Sequence, residues 1–205
     1  MFRGILALTL LAGSAAAVAA PVTVRVVDSN GKPVRDAVVT LRPAAGQQRP
    51  APGGNFTVFQ QDMEFHPFVL VVPVGTSVAF PNKDTTRHHV YSFSPAKKFE
   101  LKLFAKDQSR RVTFDKAGIV PLGCNIHDAM TAFIVVTDSA WSAKTGPNGI
   151  VQFASAPGGP ARVQVWHPYL RAKANMVEQA LPAAQRNMSV SVALRPAPMT
   201  MSHGY

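Results

Sequence analysis

Cysteine and acidic residues are scarce in this sequence. Its 205 residues include one cysteine, Cys124, and 11 acidic residues against 21 basic ones. A single cysteine cannot close an internal disulfide, so its thiol is a buried group without a function, forms an intermolecular disulfide or is a ligand. In an oxidising compartment a free thiol is a liability unless something occupies it. The residues around Cys124 therefore decide how it is interpreted.

Several signatures of other protein classes are also missing. No ridge of basic residues interleaved with aromatics indicates a nucleic-acid partner. No serine or cysteine stands in a recognisable nucleophile elbow, and no carboxylate pair lies near a histidine cluster, so we expect no enzyme. The formal net charge of +10 fits an acidic protein partner, and it fits a merely solvated basic surface equally well.

The first 19 residues have the pattern of an export signal. A basic start at Arg3 is followed by a short apolar run, and Ala17-Val18-Ala19 supplies a small-x-small cleavage site. The run is too short to serve well as a membrane span, and no later stretch approaches that length. We expect a periplasmic or secreted protein without a stable membrane span, against the alternative of a retained N-terminal anchor.

Short runs of Val, Phe and Thr alternate with proline and glycine along the rest of the chain, and no long segment keeps a helical periodicity. This texture predicts an all-β protein. Seven strands within about seventy residues indicate a small sandwich rather than a helical bundle. The predicted strands lie at 68–72, 77–80, 88–93, 99–103, 111–114, 119–124 and 131–137.

The segments on either side of this block carry strand patterns of their own. Val22, Val24 and Val26 alternate with polar residues, and the turn at Asn30-Gly31 leads to a strand at 37–41, so these two strands are predicted to form a hairpin-like unit. Residues 43–55 are rich in Pro, Gly, Ala and Gln and are predicted to be a loop. Further strands are predicted at 150–153, 161–166, 176–181 and 187–194.

A set of metal-binding side chains lies near the middle of the sequence. Cys124, His127 and Met130 are spaced C-x2-H-x2-M, and His88 and His89 stand upstream. A thiolate, two imidazoles and a thioether suit a mononuclear copper electron-transfer site. Soft sulfur favours Cu(I), and a weak axial thioether helps to set the potential. Zinc is the alternative because Cys and His also suit it, but an axial methionine favours copper.

The paired histidines leave the fourth ligand open on spacing alone. Neighbouring residues of a strand face opposite sides of the sheet, so His88 and His89 cannot both point into one site unless a bulge intervenes.

The segment from Phe65 to Asp138 resembles the cupredoxins, especially the short-loop, amicyanin-like kind and plastocyanin-like proteins labelled methylamine-utilisation. The resemblance implies a Greek-key sandwich with one type 1 copper. It implies that His88 is the upstream ligand and that Cys124, His127 and Met130 are the other three. His89 then lies beside the site or is the alternative ligand. The motifs that carry it are Val74-Gly75-Thr-Ser-Val-Ala-Phe80, His88-His-Val-Tyr-Ser-Phe93 and Gly123-Cys-Asn-Ile-His127.

Three positions depart from the family pattern. His89 stands where asparagine is usual, Leu122 where an aromatic is frequent, and Asp128 where proline is frequent. We expect these differences to affect the redox potential and the solvent access of the site more than the identity of the metal.

The flanking segments resemble the two halves of a carboxypeptidase-regulatory, transthyretin-type sandwich of Ig-like architecture. The motifs are Val24-x-Val26 with Gly31-Lys-Pro33, and Gly149-x3-Phe153 with Pro157-Gly-Gly. The resemblance implies that the cupredoxin domain is inserted into this second sandwich, so strand 22–27 is expected to share a sheet with strands after Gly149. The predicted divisions are a signal peptide at 1–19, a split sandwich at 20–55 and 139–195, the cupredoxin domain at 56–138, and a flexible tail at 196–205.

The leading hypothesis is an exported single-copper protein that exchanges electrons with redox proteins, for example an acidic cytochrome or dehydrogenase. A copper-delivery or storage protein that holds Cu(I) without redox cycling would use the same ligands, and Met199, Met201 and His203 would then add donors. An adhesion-like sandwich that has lost its metal is a third, structural alternative, against which the intact ligand set argues.

Overall fold

Strands dominate the computed structural model, which describes residues 20–156 and 158–197 of the chain. The protein is all-β, as predicted, and its helical content in these residues is one short 3-10 turn at Lys173–Asn175. No helix among the described residues is long and apolar enough to cross a membrane. The strands are β1 (Ala20–Asp28), β2 (Val38–Pro43), β3 (Phe56–Thr57), β4 (Phe59–Gln61), β5 (Glu64–His66), β6 (Val69–Pro73), β7 (Thr76–Pro81), β8 (His88–Phe93), β9 (Lys98–Phe104), β10 (Ser109–Phe114), β11 (Gly118–Gly123), β12 (Thr131–Thr137), β13 (Ser142–Lys144), β14 (Ile150–Ala156), β15 (Ala161–Trp166), β16 (Met176–Leu181) and β17 (Asn187–Val192).

Strands from the two ends of the described chain build two sheets over one core. One sheet has the order β14-β1-β17 and the other β13-β2-β15-β16. Val22, Val24 and Val26 of β1 are buried between them, as their alternation with polar residues predicts. The predicted sharing of a sheet between strand 22–27 and the C-terminal strands is confirmed, because Val24 pairs with Met188 in parallel and with Val151 in antiparallel register. The transthyretin-type classification of this unit stays a prediction.

The predicted pairing of β1 with β2 is wrong. The two strands lie in different sheets, and their connection makes only an isolated bridge between Val27 and Pro33. The reason is that β1 already has β14 on one side and β17 on the other, so no edge is left for β2. The turn itself forms as expected, with Gly31 at a left-handed φ of 77° and its N–H donating to the carbonyl of Asp28.

The central strands form a sandwich of the cupredoxin-like kind, in which all seven strands predicted between residues 68 and 137 are present. A five-stranded sheet of order β6-β12-β11-β8-β9 faces a three-stranded sheet of order β10-β7-β3. Large aromatics fill the space between the sheets, and Phe80, Phe104 and Phe114 are fully buried there. Cys124 and Met130 belong to the same apolar cluster, so the sulfur atoms of the predicted site come from one end of a packed core.

Short strands in the segment before residue 68 were not predicted. β3 joins the edge of the three-stranded sheet, and β4 and β5 pair as a hairpin whose turn is Asp62-Met63. Two- and three-residue strands carry too little alternation to be recognised, and this turn lacks the glycine that marks most two-residue hairpins. β13, which has three residues, was missed for the same reason.

An apolar junction joins the two sandwiches. Val69 and Val135, on the outer face of the five-stranded sheet, pack against Val38 and Trp166 of the other unit. Phe133 meets Trp166 edge to face with ring centroids 5.6 Å apart. The two sandwiches therefore share buried surface beyond the chain connections between them.

Candidate metal centre

His88 supplies one imidazole from the first residue of β8. Its side chain is 0% exposed, and its Nδ1 atom lies 3.8 Å from the Sγ atom of Cys124. Strand β8 is paired with β9 on one side and touches β11 on the other, where Tyr91 is opposite Gly123. The backbone that carries His88 is thus fixed by the sheet.

The other side chains come from the loop between β11 and β12. Cys124 directly follows Gly123, the last residue of β11, and Met130 directly precedes β12. The N–H of Met130 donates to the carbonyl of His127 at 3.0 Å, which closes a tight turn. In this turn His127 directs its Nδ1 atom to 3.9 Å from the Sγ atom of Cys124.

These three residues form a group with the composition and spacing of a metal site. The ligand atoms of His88, Cys124 and His127 all lie within 4.8 Å of one another. Metal–ligand bonds as long as those of zinc, about 2.3 Å to sulfur and about 2.0 Å to nitrogen, would place sulfur and nitrogen about 3.7 Å apart in a trigonal arrangement. The observed distances of 3.8 and 3.9 Å are close to that value. One thiolate and two imidazoles is the equatorial donor set of a blue-copper site, so the residues present fit copper.

Met130 is the last residue of the ligand loop, and its role as a ligand stays a prediction. It is 1% exposed and packs in the same cluster as Cys124, at the end of the ligand loop. A buried thioether at this place is compatible with weak axial coordination and with simple packing.

His89 is directed to a different environment from its neighbour. Its Nε2 atom lies 2.8 Å from the Oε1 atom of Glu100 on β9, and its ring contacts Tyr91. The pairing of β8 with β9 shifts register between His88 and Val90, yet the rings of His88 and His89 still point to different partners. The structure therefore brings His88, and not His89, to Cys124.

Asp84, which lies between the predicted strands 77–80 and 88–93, is a participant that sequence reasoning missed. Its Oδ2 atom lies 2.6 Å from the Nε2 atom of His88. The backbone N–H groups of Asp62 and Met63 donate to the same carboxylate at 2.7 and 3.1 Å. Burial raises the pKa of Asp84, but the Met63 amide, the His88 ring and the Asp62 amide outweigh it, and the net pKa is lowered. A single aspartate four residues before a histidine is too common a pattern to have been recognised.

His127 is the more accessible of the two imidazoles. It is half-buried, and its neighbours Ile126 and Asp128 are exposed. Burial lowers the pKa of His127, and the nearby His88 lowers it further, against an opposing effect of Asp84. A lowered pKa keeps the imidazole neutral, which is the form that binds a metal.

The remaining histidines and the tail fall outside this group. His66 stacks on Phe59, and His167 is buried beside Tyr169, so neither lies in the cluster. Met199, Met201 and His203 lie outside the described residues, as does the predicted signal peptide.

Solved structures similar to this one include a copper-containing enzyme, a cupredoxin and amicyanin, at low identity and partial coverage. No protein-family model and no curated protein sequence matches the chain. A copper-containing nitrite reductase from Thermus scotoductus SA-01 is 28% identical over 47% of this chain, with a TM-score of 0.40, and the match spans 25% of that enzyme. A purple cupredoxin from Nitrosopumilus maritimus is 19% identical over 40% of this chain and 100% of its own, with a TM-score of 0.37. A reduced amicyanin mutant is 24% identical over 48% of this chain and 98% of its own, with a TM-score of 0.38. At this level of likeness, the assignment of copper depends on the site residues themselves.

Proposed function

We propose that this protein is an exported, mononuclear type 1 copper protein that carries single electrons between redox partners and is not an enzyme. The observation that supports this best is the buried thiol of Cys124, which lies 3.8 and 3.9 Å from the Nδ1 atoms of His88 and His127. A free thiol is a liability in an oxidising compartment, and metal binding by Cys124 would account for one in an exported protein.

The chain's own residues divide the work of such a site. His88, Cys124 and His127 would hold the metal, with Met130 as the proposed axial ligand, and the copper would supply a one-electron couple between Cu(II) and Cu(I). The sheet under His88 and the closed turn from His127 to Met130 keep the ligands in place in both states. Little rearrangement is then needed when an electron moves.

Electron exchange is proposed to take place at the edge of His127. This imidazole is the site residue that solvent reaches, and the loop residues Ile126 and Asp128 beside it are exposed. A redox protein seated on this loop would approach the copper through one ring. The excess of 21 basic over 11 acidic residues favours an acidic partner, because opposite charge speeds the encounter.

Addition of Cu(II) to the purified protein tests the proposal. We expect an intense visible thiolate-to-copper band with one copper per chain, and we expect Cys124→Ala to abolish it. No band in the wild-type protein, or a band that survives Cys124→Ala, would contradict the proposal. Cyclic voltammetry separates it from copper delivery: a reversible couple supports the carrier, whereas tight Cu(I) binding without a stable Cu(II) form supports delivery.

A further inference from the structure

We propose that Asp84 is the positioning residue of the metal centre, and that the turn of hairpin β4–β5 holds its carboxylate in place. In this arrangement the carboxylate fixes the orientation and the tautomer of His88 before any metal binds. The inference rests on the proposed copper function for its consequence, but its structural part can be tested without copper.

The first step is the contact between Asp84 and His88. An ionised carboxylate can only accept hydrogen bonds, so the Nε2 atom of His88, 2.6 Å away, must carry the proton. The lone pair of the neutral ring is then on Nδ1, the atom that lies 3.8 Å from the thiol of Cys124. One hydrogen bond thereby selects the metal-binding nitrogen and directs it into the site.

The second step is the support of the carboxylate by the hairpin turn. Asp62 and Met63 have left-handed backbone conformations, with φ of 54° and 56°, and both donate their N–H groups to Asp84. These residues are themselves exposed, so without Asp84 their amides would face water. The carboxylate thus receives three donors from two separate parts of the chain.

The loop that carries Asp84 is fixed at its base by Asn82, which is 1% exposed. The Oδ1 atom of Asn82 accepts the N–H of Asp84 at 2.8 Å. Its Nδ2 group donates to the carbonyls of Thr86 and Phe104, and Phe104 is the residue paired with His88 across β8 and β9. Loop, strand and carboxylate are therefore connected by satisfied hydrogen bonds, which is the condition for a rigid polar network.

Hairpin β4–β5 also contacts the Asp84 loop through Lys83. The N–H of Lys83 donates to the carbonyl of Gln60 at 2.8 Å, and the Nζ atom of Lys83 lies 3.9 Å from the centre of the Phe59 ring. Contacts of Lys83 and of the Asp84 carboxylate thus hold β4–β5 against residues 82–84. The hairpin, which the sequence did not reveal, acquires a role in the metal centre.

The test compares Asp84→Asn with Glu100→Gln. Both changes remove one negative charge from a carboxylate in contact with an imidazole, but Glu100 contacts His89, which is not in the cluster. We expect Asp84→Asn to weaken copper binding by about 10–100-fold, the usual effect of losing a carboxylate behind a histidine ligand, and to shift the visible band. Glu100→Gln should change neither. Equal effects of the two variants would overturn the proposal.

Asp84→Glu separates geometry from charge. It keeps the charge but moves the oxygens by one methylene, so we expect it to behave like Asp84→Asn. If it behaves like the wild type, the charge alone matters and positioning is refuted.

Two measurements on the metal-free protein avoid dependence on copper and on the folding of variants. Nitrogen NMR of the imidazoles should find the proton of His88 on Nε2 in the wild type, and hydrogen exchange should find the exposed Asp62 and Met63 amides protected. A proton on Nδ1, or rapid exchange of both amides, would overturn the proposal. If these results appear as expected and the protein binds no copper, the proposed function fails and the positioning by Asp84 stands.

Discussion

The two halves of the metal centre are built in opposite ways. His88 is fully buried on a paired strand, and its Nε2 atom contacts the carboxylate of Asp84. Two backbone N–H groups also donate to this carboxylate. His127 is half-buried in a turn, and its exposed neighbours leave its edge open to solvent. The difference teaches that rigidity and access are separate requirements of the proposed site. The strand half would fix the ligand geometry, and the exposed loop half would provide the proposed contact with a redox partner.

The largest expected effect separates His88 from its neighbour. His88→Ala should abolish the thiolate-to-copper band or shift it strongly, because the buried ligand leaves a gap that solvent does not readily fill. His89→Ala should keep the band, because its ring contacts Glu100 and Tyr91 instead of the cluster. Visible spectra of both copper-loaded variants provide the measurement. An unchanged His88→Ala spectrum beside a bleached His89→Ala protein would reverse the assignment.

A smaller effect is expected where the two halves meet, at Gly123. A Cβ atom added there would lie 2.7 Å from Cζ and 2.8 Å from the hydroxyl oxygen of Tyr91, closer than side chains pack. We expect Gly123→Ala to lower the free energy of unfolding by about 1–3 kcal/mol, the usual cost of overpacking. Urea unfolding provides the measurement.

Tyr91→Ala supplies the matched background for this change. In that background Gly123→Ala should cost clearly less, because the ring that the new methyl group meets has been removed. Equal costs in the two backgrounds would show that the backbone at Gly123, and not the Tyr91 ring, is what resists the substitution.

The smallest effect concerns His167, a buried histidine outside the cluster of His88, Cys124 and His127. Burial lowers the pKa of His167 below its usual 6.5, against opposing effects of Asp36 and of a backbone hydrogen bond at Arg35. The unfolded chain therefore binds more protons than the folded one in the window below about pH 6.5, so stability falls as the pH drops through that window. Urea unfolding between pH 5 and 7.5 gives the free energy of unfolding at each pH. This free energy should depend less steeply on pH in His167→Gln than in the wild-type protein. Identical slopes would contradict the assignment.

Local patterns in the sequence predicted the parts of the site that are local in space. The spacing of Cys124, His127 and Met130 placed them in one loop between two strands, and the structure has that loop between β11 and β12. Alternation along β1 predicted its buried valines, because side chains of a strand alternate between faces whatever its partners are. The resemblance to cupredoxins pointed to His88, and the structure brings that residue to the thiol.

Contacts between distant parts of the chain were out of reach. The carboxylate of Asp84 meets amides from a hairpin more than twenty residues earlier, and nothing in the sequence around either one specifies the other. The pairing of β1 with β2 was predicted wrongly for the same reason. The turn pattern at Gly31 predicts that the chain reverses direction. Which sheet the next strand joins depends on which strand edges are already paired.

The order in which the chain can be assembled follows from the parallel pairing of β1 with β17. This pairing joins Thr23 to Asn187, so the sheet β14-β1-β17 is complete only when β17, the last of the described strands, has joined β1. The entropy lost on closing so long a loop grows with its length. Pairing of Val69 with Phe133 inside the loop brings the two ends of the central segment together and shortens the distance that remains to be closed. The pairing of β6 with β12 in the central sandwich thus brings the flanking segments, which carry β1 and β17, closer to each other.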